Sequence, residues 1–134
     1  AGFYAYAEDG KRQGLWDGLA ARYPHADDQP DVTTVQHRLM FAQTLEAVRA
    51  FEQGVLEDIR EGDVGAILGW GFAPWTGGPI SFIDGIGLAK FVKTADRLAQ
   101  TYGDRFKVPQ LLRDMAAKDE TFYGRFAPET KAAA

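Results

Sequence analysis

The eleven residues from Gly69 to Pro79, GWGFAPWTGGP, are the first candidate for chemistry because glycine-rich loops can cradle phosphate groups. A dinucleotide-binding loop needs G-x-G-x-x-G directly after a strand. Here the third glycine position is Pro74, and the stretch follows a predicted helix. We therefore favour the alternative, a tightly packed corner between helices. Its aromatic residues, Trp70, Phe72 and Trp75, are then candidates for an interface with another domain.

Side chains suited to catalysis are scarce in this chain. It has no cysteine and no asparagine, a single serine (Ser81) and two histidines (His25 and His37). Ser81 does not lie in a G-x-S-x-G motif, and the histidines form no H-E-x-x-H motif. The absence of cysteine excludes disulfides and thiolate sites. We predict no catalytic, cofactor-binding or metal-binding residue within the chain.

Two residues of a predicted long helix are nevertheless candidate interface or cleft residues. His37 lies on its apolar stripe and is either a general base tuned by burial or a hydrogen-bonded histidine of the interior or of an interface; we favour the second. Glu46 lies on the polar face, where we expect an ion pair or an interdomain contact. Glu61 and Asp63 are interpreted as charges at a helix N-terminus, and Asp84 as a capping or turn residue.

The charge pattern disfavours two classes of partner. The net charge is −4, and the lysines and arginines are scattered, whereas a nucleic-acid site needs a basic stripe. No apolar run approaches the roughly 20 residues of a membrane span, and no signal peptide is recognisable. We predict a cytoplasmic protein without a nucleic-acid partner.

Periodicity predicts an all-α domain behind an N-terminal arm. Residues 1–30 are predicted to be a connector, extended over 1–7 and a loop over 8–30. The helical domain is predicted over 31–123, beginning with a helix from Asp31 to about Gln53 that Gly54 ends. Residues 124–134 are predicted to be a frayed tail.

Further helices follow in the predicted domain. In EGDVGAIL the inner face is predicted to be Val64, Ile67 and Leu68, with Gly69 ending the helix. Gly77 and Gly78 permit a sharp turn before a helix that begins at Pro79. Apolar residues repeat at helical spacing from Leu88 to Tyr102, and Pro109 is predicted to start the last helix.

The run from Arg38 to Gly87 resembles a known family through its combination of DVGAILGWGF, TGGP and FIDGIG. It is similar to the C-terminal helical domain of NAD-dependent 3-hydroxyacyl-CoA dehydrogenases. More narrowly, it resembles the second tandem copy of this domain in the multifunctional α-subunits of fatty-acid β-oxidation. The resemblance covers most of residues 2–123 and implies a fold related to the C-terminal helical domain of 6-phosphogluconate dehydrogenase.

The resemblance implies that this chain is a C-terminal fragment that is inactive alone. The parent would bind NAD in a Rossmann domain and carry enoyl-CoA hydratase activity elsewhere. The family's helical-domain asparagine aligns with His37, which indicates a non-catalytic copy. Expected partners are the Rossmann domain and the first helical copy. Two alternatives remain: an acyl-CoA-contacting module with His37, Trp70 and Trp75 lining a cleft, and a free-standing homodimer.

Overall fold

The computed structural model describes residues 2–126. The chain divides into two compact units, Ala1–Asp31 and Val32–Ala134. In the first unit, β1 (Tyr4–Tyr6) pairs antiparallel with β2 (Arg12–Leu15), and α1 (Leu19–Arg22) follows. The predicted loop over 8–30 therefore contains a strand and a short helix. Periodicity did not indicate β2, because all four of its residues are exposed and no apolar alternation marks it.

The second unit is all-α, as predicted. Its α-helices are α2 (Val32–Glu52), α3 (Ile59–Trp70), α4 (Pro79–Ile86), α5 (Leu88–Tyr102), α6 (Gln110–Ala117) and α7 (Phe122–Arg125). Short 3-10 turns occupy Pro74–Thr76 and Asp104–Phe106. The boundaries predicted for α2, for the start of α4 and for α5 agree with the structure to within one or two residues.

Aromatic side chains form the centre of the core of the second unit. Phe41 of α2 stacks on Phe91 of α5 with ring centroids 4.2 Å apart, and Phe82 of α4 meets Phe41 edge-on. Leu45 and Val48 continue the buried face of α2. Helices α2, α4 and α5 thus pack around one cluster of rings, and this cluster fixes where the outer surfaces of α2 lie.

The prediction for α3 was wrong in its bounds and in its inner face. The helix continues through Gly69 to Trp70, and Gly71, with φ of 76°, supplies the left-handed cap. Its buried residues are Ile59, Gly62, Asp63 and Ala66. Of the three residues predicted to face inward, Ile67 is half-buried, whereas Val64 and Leu68 face outward and Leu68 is 80% exposed. The apolar repeat of α3 therefore marks a surface rather than the core.

The predicted tail begins with structure. Thr121 accepts a hydrogen bond from the Gly124 backbone N–H and caps α7, and Phe122 is fully buried. Asp84 accepts hydrogen bonds from the backbone N–H groups of Phe122 (2.8 Å) and Tyr123 (3.0 Å), so it caps α7 from a distant helix. Residues 127–134, which hold most of the predicted tail, lie outside the described residues.

Only glycine fits at residue 78, because the backbone there passes very close to the backbone of Asp63 in α3. It adopts φ of 117°, and a Cβ built there would lie 2.5 Å from the Cβ of Asp63 and 2.6 Å from its Cα. Real Cβ atoms do not approach a backbone so closely, and an L-residue at this φ is strained. Any side chain at residue 78 would push α3 away from the start of α4.

We predict that Gly78→Ala lowers the free energy of unfolding by about 2 kcal/mol or more, through overpacking and backbone strain. Gly85→Ala is the matched control, because Gly85 lies in α4 with open space around its Cα. Its added methyl group should leave stability unchanged or raise it by up to about 1 kcal/mol. Urea unfolding of both variants measures the difference, and equal stabilities would contradict the account of Gly78.

Candidate functional site

The glycine corner is organised by a buried carboxylate. Asp63 of α3 is only 2% exposed. One of its oxygens accepts a hydrogen bond from the Ile80 N–H at 2.6 Å, and the other accepts from the Ser81 N–H at 3.1 Å and the Ser81 hydroxyl at 2.6 Å. The sequence suggested that Asp63 is a charge at the start of its own helix, but the structure shows that it binds the start of a different helix. It neutralises the N-terminus of α4.

This arrangement decides between a phosphate cradle and a packed corner. A phosphate at the start of α4 would need the free N–H groups of the first helical turn. Asp63 already accepts the N–H groups of Ile80 and Ser81, and its negative charge would repel an anion. The stretch from Gly69 to Pro79 is a packed corner, in agreement with the interpretation that we favoured.

The same carboxylate holds a third helix. The Tyr123 hydroxyl of α7 donates to Asp63 Oδ2 at 2.8 Å. Burial raises the pKa of the Tyr123 phenol above its usual value, and the hydrogen bond to Asp63 acts in the same direction. Asp63 thus connects α3, the start of α4 and α7, so that the corner is fixed at three points.

Two of the predicted interface aromatics lie on the outside of this corner. Trp75 is 85% exposed in the turn Pro74–Thr76, and Trp70 is 63% exposed at the end of α3. The Trp70 indole N–H donates to the Gln43 side-chain oxygen of α2 at 3.0 Å, which holds the ring in place. Large exposed aromatics held in one orientation are suited to a protein interface.

Phe72 does not belong to this exposed set. It is 2% exposed, because the left-handed turn at Gly71 directs the chain back and the Phe72 N–H donates to the Ala66 carbonyl at 3.1 Å. The predicted contribution of Phe72 to an outward-facing contact is therefore corrected. Its ring is covered within this unit and presents no surface to a partner.

An apolar groove of about 570 Å³ lies between α2 and α3. We call it the α2–α3 groove. Trp70 and Glu46 both line it, so the structure brings these two predicted residues together. The remaining wall residues are mostly small or aliphatic: Ala42, Gln43, Ala47, Ala50, Val55, Leu56, Glu61, Gly62, Gly65 and Ala66. Glu46 also forms the expected ion pair, with Arg49 at 2.8 Å.

A second groove of about 640 Å³ adjoins the first along α2. We call it the arginine groove. Arg38 and Arg105 line it, and the Arg38 guanidinium lies 4.3 Å from the centre of the Tyr102 ring. Its other wall residues are Val35, Leu39, Ala42, Gln43 and Phe106. The two grooves share Ala42 and Gln43, so together they form one surface on the outer side of α2.

His37 lies elsewhere. It lines a smaller groove between α2 and α5, and its ring is 5.4 Å from that of Phe41. Trp75 is not part of the α2–α3 groove. The single cleft of His37, Trp70 and Trp75, which the acyl-CoA alternative required, does not form. Over residues 2–126 no group of three or more acidic, histidine or cysteine side chains could hold a metal ion.

Comparisons with known proteins place the chain. No protein-family model matches it. It is 36% identical over 125 residues to the fatty acid oxidation complex subunit alpha of Shewanella oneidensis, a match of 91% of this chain and 17% of that protein. The chain is related to a segment of fatty acid oxidation complex alpha subunits. The Shewanella loihica subunit is 35% identical over 125 residues, and that of Shewanella amazonensis is 43% identical over 89 residues.

The chain thus spans about one sixth of the length of these alpha subunits, since 17% of the Shewanella oneidensis protein is matched. The match agrees with the resemblance drawn from the residues between Arg38 and Gly87. In the described part of the chain no helix is both long and apolar enough to cross a membrane.

Sequence reasoning missed the central role of Asp63 and the arginine groove. A signal for Asp63 exists, because an acidic residue directly after Gly62, followed along the chain by the T-G-G-P turn, is compatible with a capping carboxylate. Only the fold, however, shows that the capped helix lies 17 residues further along the chain. The arginine groove depends on Arg38 and Arg105, which are far apart in sequence.

We predict that Asp63→Ala lowers the free energy of unfolding by about 3 kcal/mol or more, since buried donors of α4 and α7 lose their acceptor. Tyr123→Phe removes one of these hydrogen bonds and should cost about 1 kcal/mol. Asp58 caps α3 at a more exposed position, where water can bind the Arg60 N–H once the carboxylate is removed. Asp58→Ala should therefore have a clearly smaller effect than Asp63→Ala in chemical denaturation, and the reverse order would contradict the role of Asp63.

Proposed function

We propose that this chain is the C-terminal helical segment of a fatty acid oxidation complex alpha subunit and that its role is structural. It packs against other domains of the same polypeptide and completes the dehydrogenase half of the enzyme. The observation that carries this proposal is the number of apolar side chains on its outer surface. They include Val35, Leu39, Val64, Leu68, Trp70 and Trp75.

The position of these residues supports packing rather than chance exposure. Leu39 and Trp70 line adjoining grooves beside α2, and Val64 and Leu68 lie one turn apart on the outside of α3. Scattered single apolar residues are common on soluble proteins, but contiguous apolar surface usually marks an interface. About five sixths of the length of the Shewanella oneidensis relative lies outside the match, and this additional chain supplies domains to cover the surface.

The activity proposed for the longer polypeptide is NAD-dependent oxidation of a 3-hydroxyacyl-CoA, with enoyl-CoA hydratase activity elsewhere in that chain. The support is the name of the relatives together with the resemblance of residues 38–87 to 3-hydroxyacyl-CoA dehydrogenases. NAD would be held by the Rossmann domain, because Asp63 occupies the helix N-terminus at the glycine corner of this segment. We propose a cytoplasmic location for the enzyme.

If other domains cover the outer side of α3, a charge introduced there should be tolerated in the isolated segment and should destabilise the complete subunit. Leu68→Glu should change the free energy of unfolding of the 134-residue chain by less than about 0.5 kcal/mol, since Leu68 is 80% exposed. In the complete polypeptide the same charge would be buried without a partner. Hydrogen exchange in the segment should then increase.

The matched control is Gln100→Glu, which adds the same charge at an exposed position of α5. It should leave hydrogen exchange unchanged in both polypeptides. If Leu68→Glu also has no effect in the complete subunit, Leu68 is not part of an interdomain contact and the packing role of this face of α3 is wrong.

A second candidate function, contact with acyl-CoA, is favoured by one observation. The α2–α3 groove is almost wholly apolar and large enough for part of an acyl chain. Two features oppose it: Glu46 and Glu61 lie at this groove, where they would repel the phosphates of coenzyme A, and His37 is on another surface. We therefore rank contact with acyl-CoA below packing.

We predict that the 134-residue chain shows no saturable heat with acetoacetyl-CoA in calorimetric titration and forms no NADH from NAD and a 3-hydroxyacyl-CoA. One-to-one binding that is lost in a folded Trp70→Ala variant would instead make the α2–α3 groove part of a substrate site. NADH formation by the pure chain would overturn the assignment of a non-catalytic segment.

A further inference from the structure

Helix α2 presents apolar residues on two opposite faces. At 100° per residue, Phe41, Leu45 and Val48 share the face that is buried in the core. Leu39 and Ala50 lie on the opposite face, where Leu39 is 62% exposed, and the partly buried Ala42 lies at the edge of this face. A helix that is apolar on both sides is usually covered on both sides. The outer face of α2 is thus a surface that a partner would cover.

Charges are segregated along this outer face. Arg38 and Arg105 line the arginine groove, while Glu46 and Glu61 line the adjoining α2–α3 groove. Glu46 already pairs with Arg49, but its side chain is 73% exposed, so a further cation can reach it. Arg38 and Glu46 are eight residues apart, which corresponds to roughly 12 Å along the helix axis. The arginine groove therefore carries a net positive charge, and the α2–α3 groove carries a net negative charge even after Arg49 is counted against Glu46.

We propose that the occupant of this face is an amphipathic helix from another domain of the alpha subunit, lying along α2 with a fixed direction. Its apolar stripe covers Leu39 and Ala42, its carboxylates face Arg38 and Arg105, and its cations face Glu46 and Glu61. The inference rests on the proposed packing function and adds the chemistry and the polarity of the partner.

Three features favour a helix as the occupant. A groove runs along each side of the ridge formed by Ala42 and Gln43, the geometry in which side-chain ridges of a second helix insert. The small side chains of Ala42, Ala47 and Ala50 allow a close backbone approach. The rest of the alpha subunit, most of its length, can supply the helix within the same chain, where the effective concentration reaches the millimolar range.

The test uses the 134-residue chain and two labelled helical peptides of identical composition. Both carry one leucine–alanine stripe, three glutamates and three lysines. In the segregated peptide the glutamates occupy one half and the lysines the other; in the mixed peptide they alternate. Fluorescence anisotropy gives the two dissociation constants at low and at high salt, and circular dichroism establishes that the peptides are equally helical.

We expect the segregated peptide to bind about 10-fold more tightly at low salt, with the preference reduced at 1 M salt, where charges are screened. The double variant Arg38→Glu and Arg105→Glu should lose the preference. The control variant Lys90→Glu and Lys93→Glu makes the same change of charge on exposed positions of α5 and should keep it.

Equal affinities for the two peptides would overturn the inferred polarity and leave the packing function standing. Absence of binding by both peptides would overturn the helix as occupant. It would count against the packing function itself only if Leu68→Glu were also without effect in the complete subunit. A stable dimer of the 134-residue chain that Arg38→Glu abolishes would overturn the inference by assigning the face to a second copy.

Discussion

The helical unit depends on the placement of one buried charge. Asp63 is enclosed by the protein and accepts hydrogen bonds from the first turn of α4 and from Tyr123 of α7. A buried carboxylate is tolerated only when its oxygens are fully hydrogen-bonded. The requirement works in both directions, because the N-terminus of α4 needs an acceptor as much as Asp63 needs donors. The same contact explains Gly78, since only glycine lets the backbone before α4 approach the backbone of Asp63 closely enough.

The inward position of Asp63 also determines what α3 presents to the outside. Residues three and four positions from an inward residue share its face, and here Ile59 and Ala66 are at these distances from Asp63. Gly62 is buried on the same face, three positions after Ile59 and four before Ala66. The apolar residues Val64 and Leu68 are consequently rotated outward. The interaction that closes the corner therefore produces the exposed apolar surface on α3. The inward position of Asp63 therefore both stabilises the helical unit and leaves an apolar surface free to pack against another domain.

This origin explains which features could be predicted from the sequence. Helices α2 and α5 were predictable because large apolar residues repeat at helical spacing and glycines follow their ends. The face of α3 was not, since periodicity treats Val64 and Leu68 as core and Asp63 as surface. Helix α7 depends on hydrogen bonds from its N–H groups to Asp84, 38 residues earlier, which no local pattern encodes. The candidate site divides in the same way: Trp70 and Trp75 are exposed as expected, but Phe72 is turned inward by the left-handed cap at Gly71.

The two faces of α2 connect folding with function. The inner face carries Phe41, Leu45 and Val48 and fixes the helix against α4 and α5, so the outer face is held rigidly in one orientation. A rigid surface loses little conformational entropy on association, so more of its apolar contact contributes to affinity. The Trp70 to Gln43 hydrogen bond extends this rigidity to the edge of the α2–α3 groove. The opposite charges of Arg38 and Glu46 then fix the direction of a partner helix along α2, which apolar burial alone would not determine.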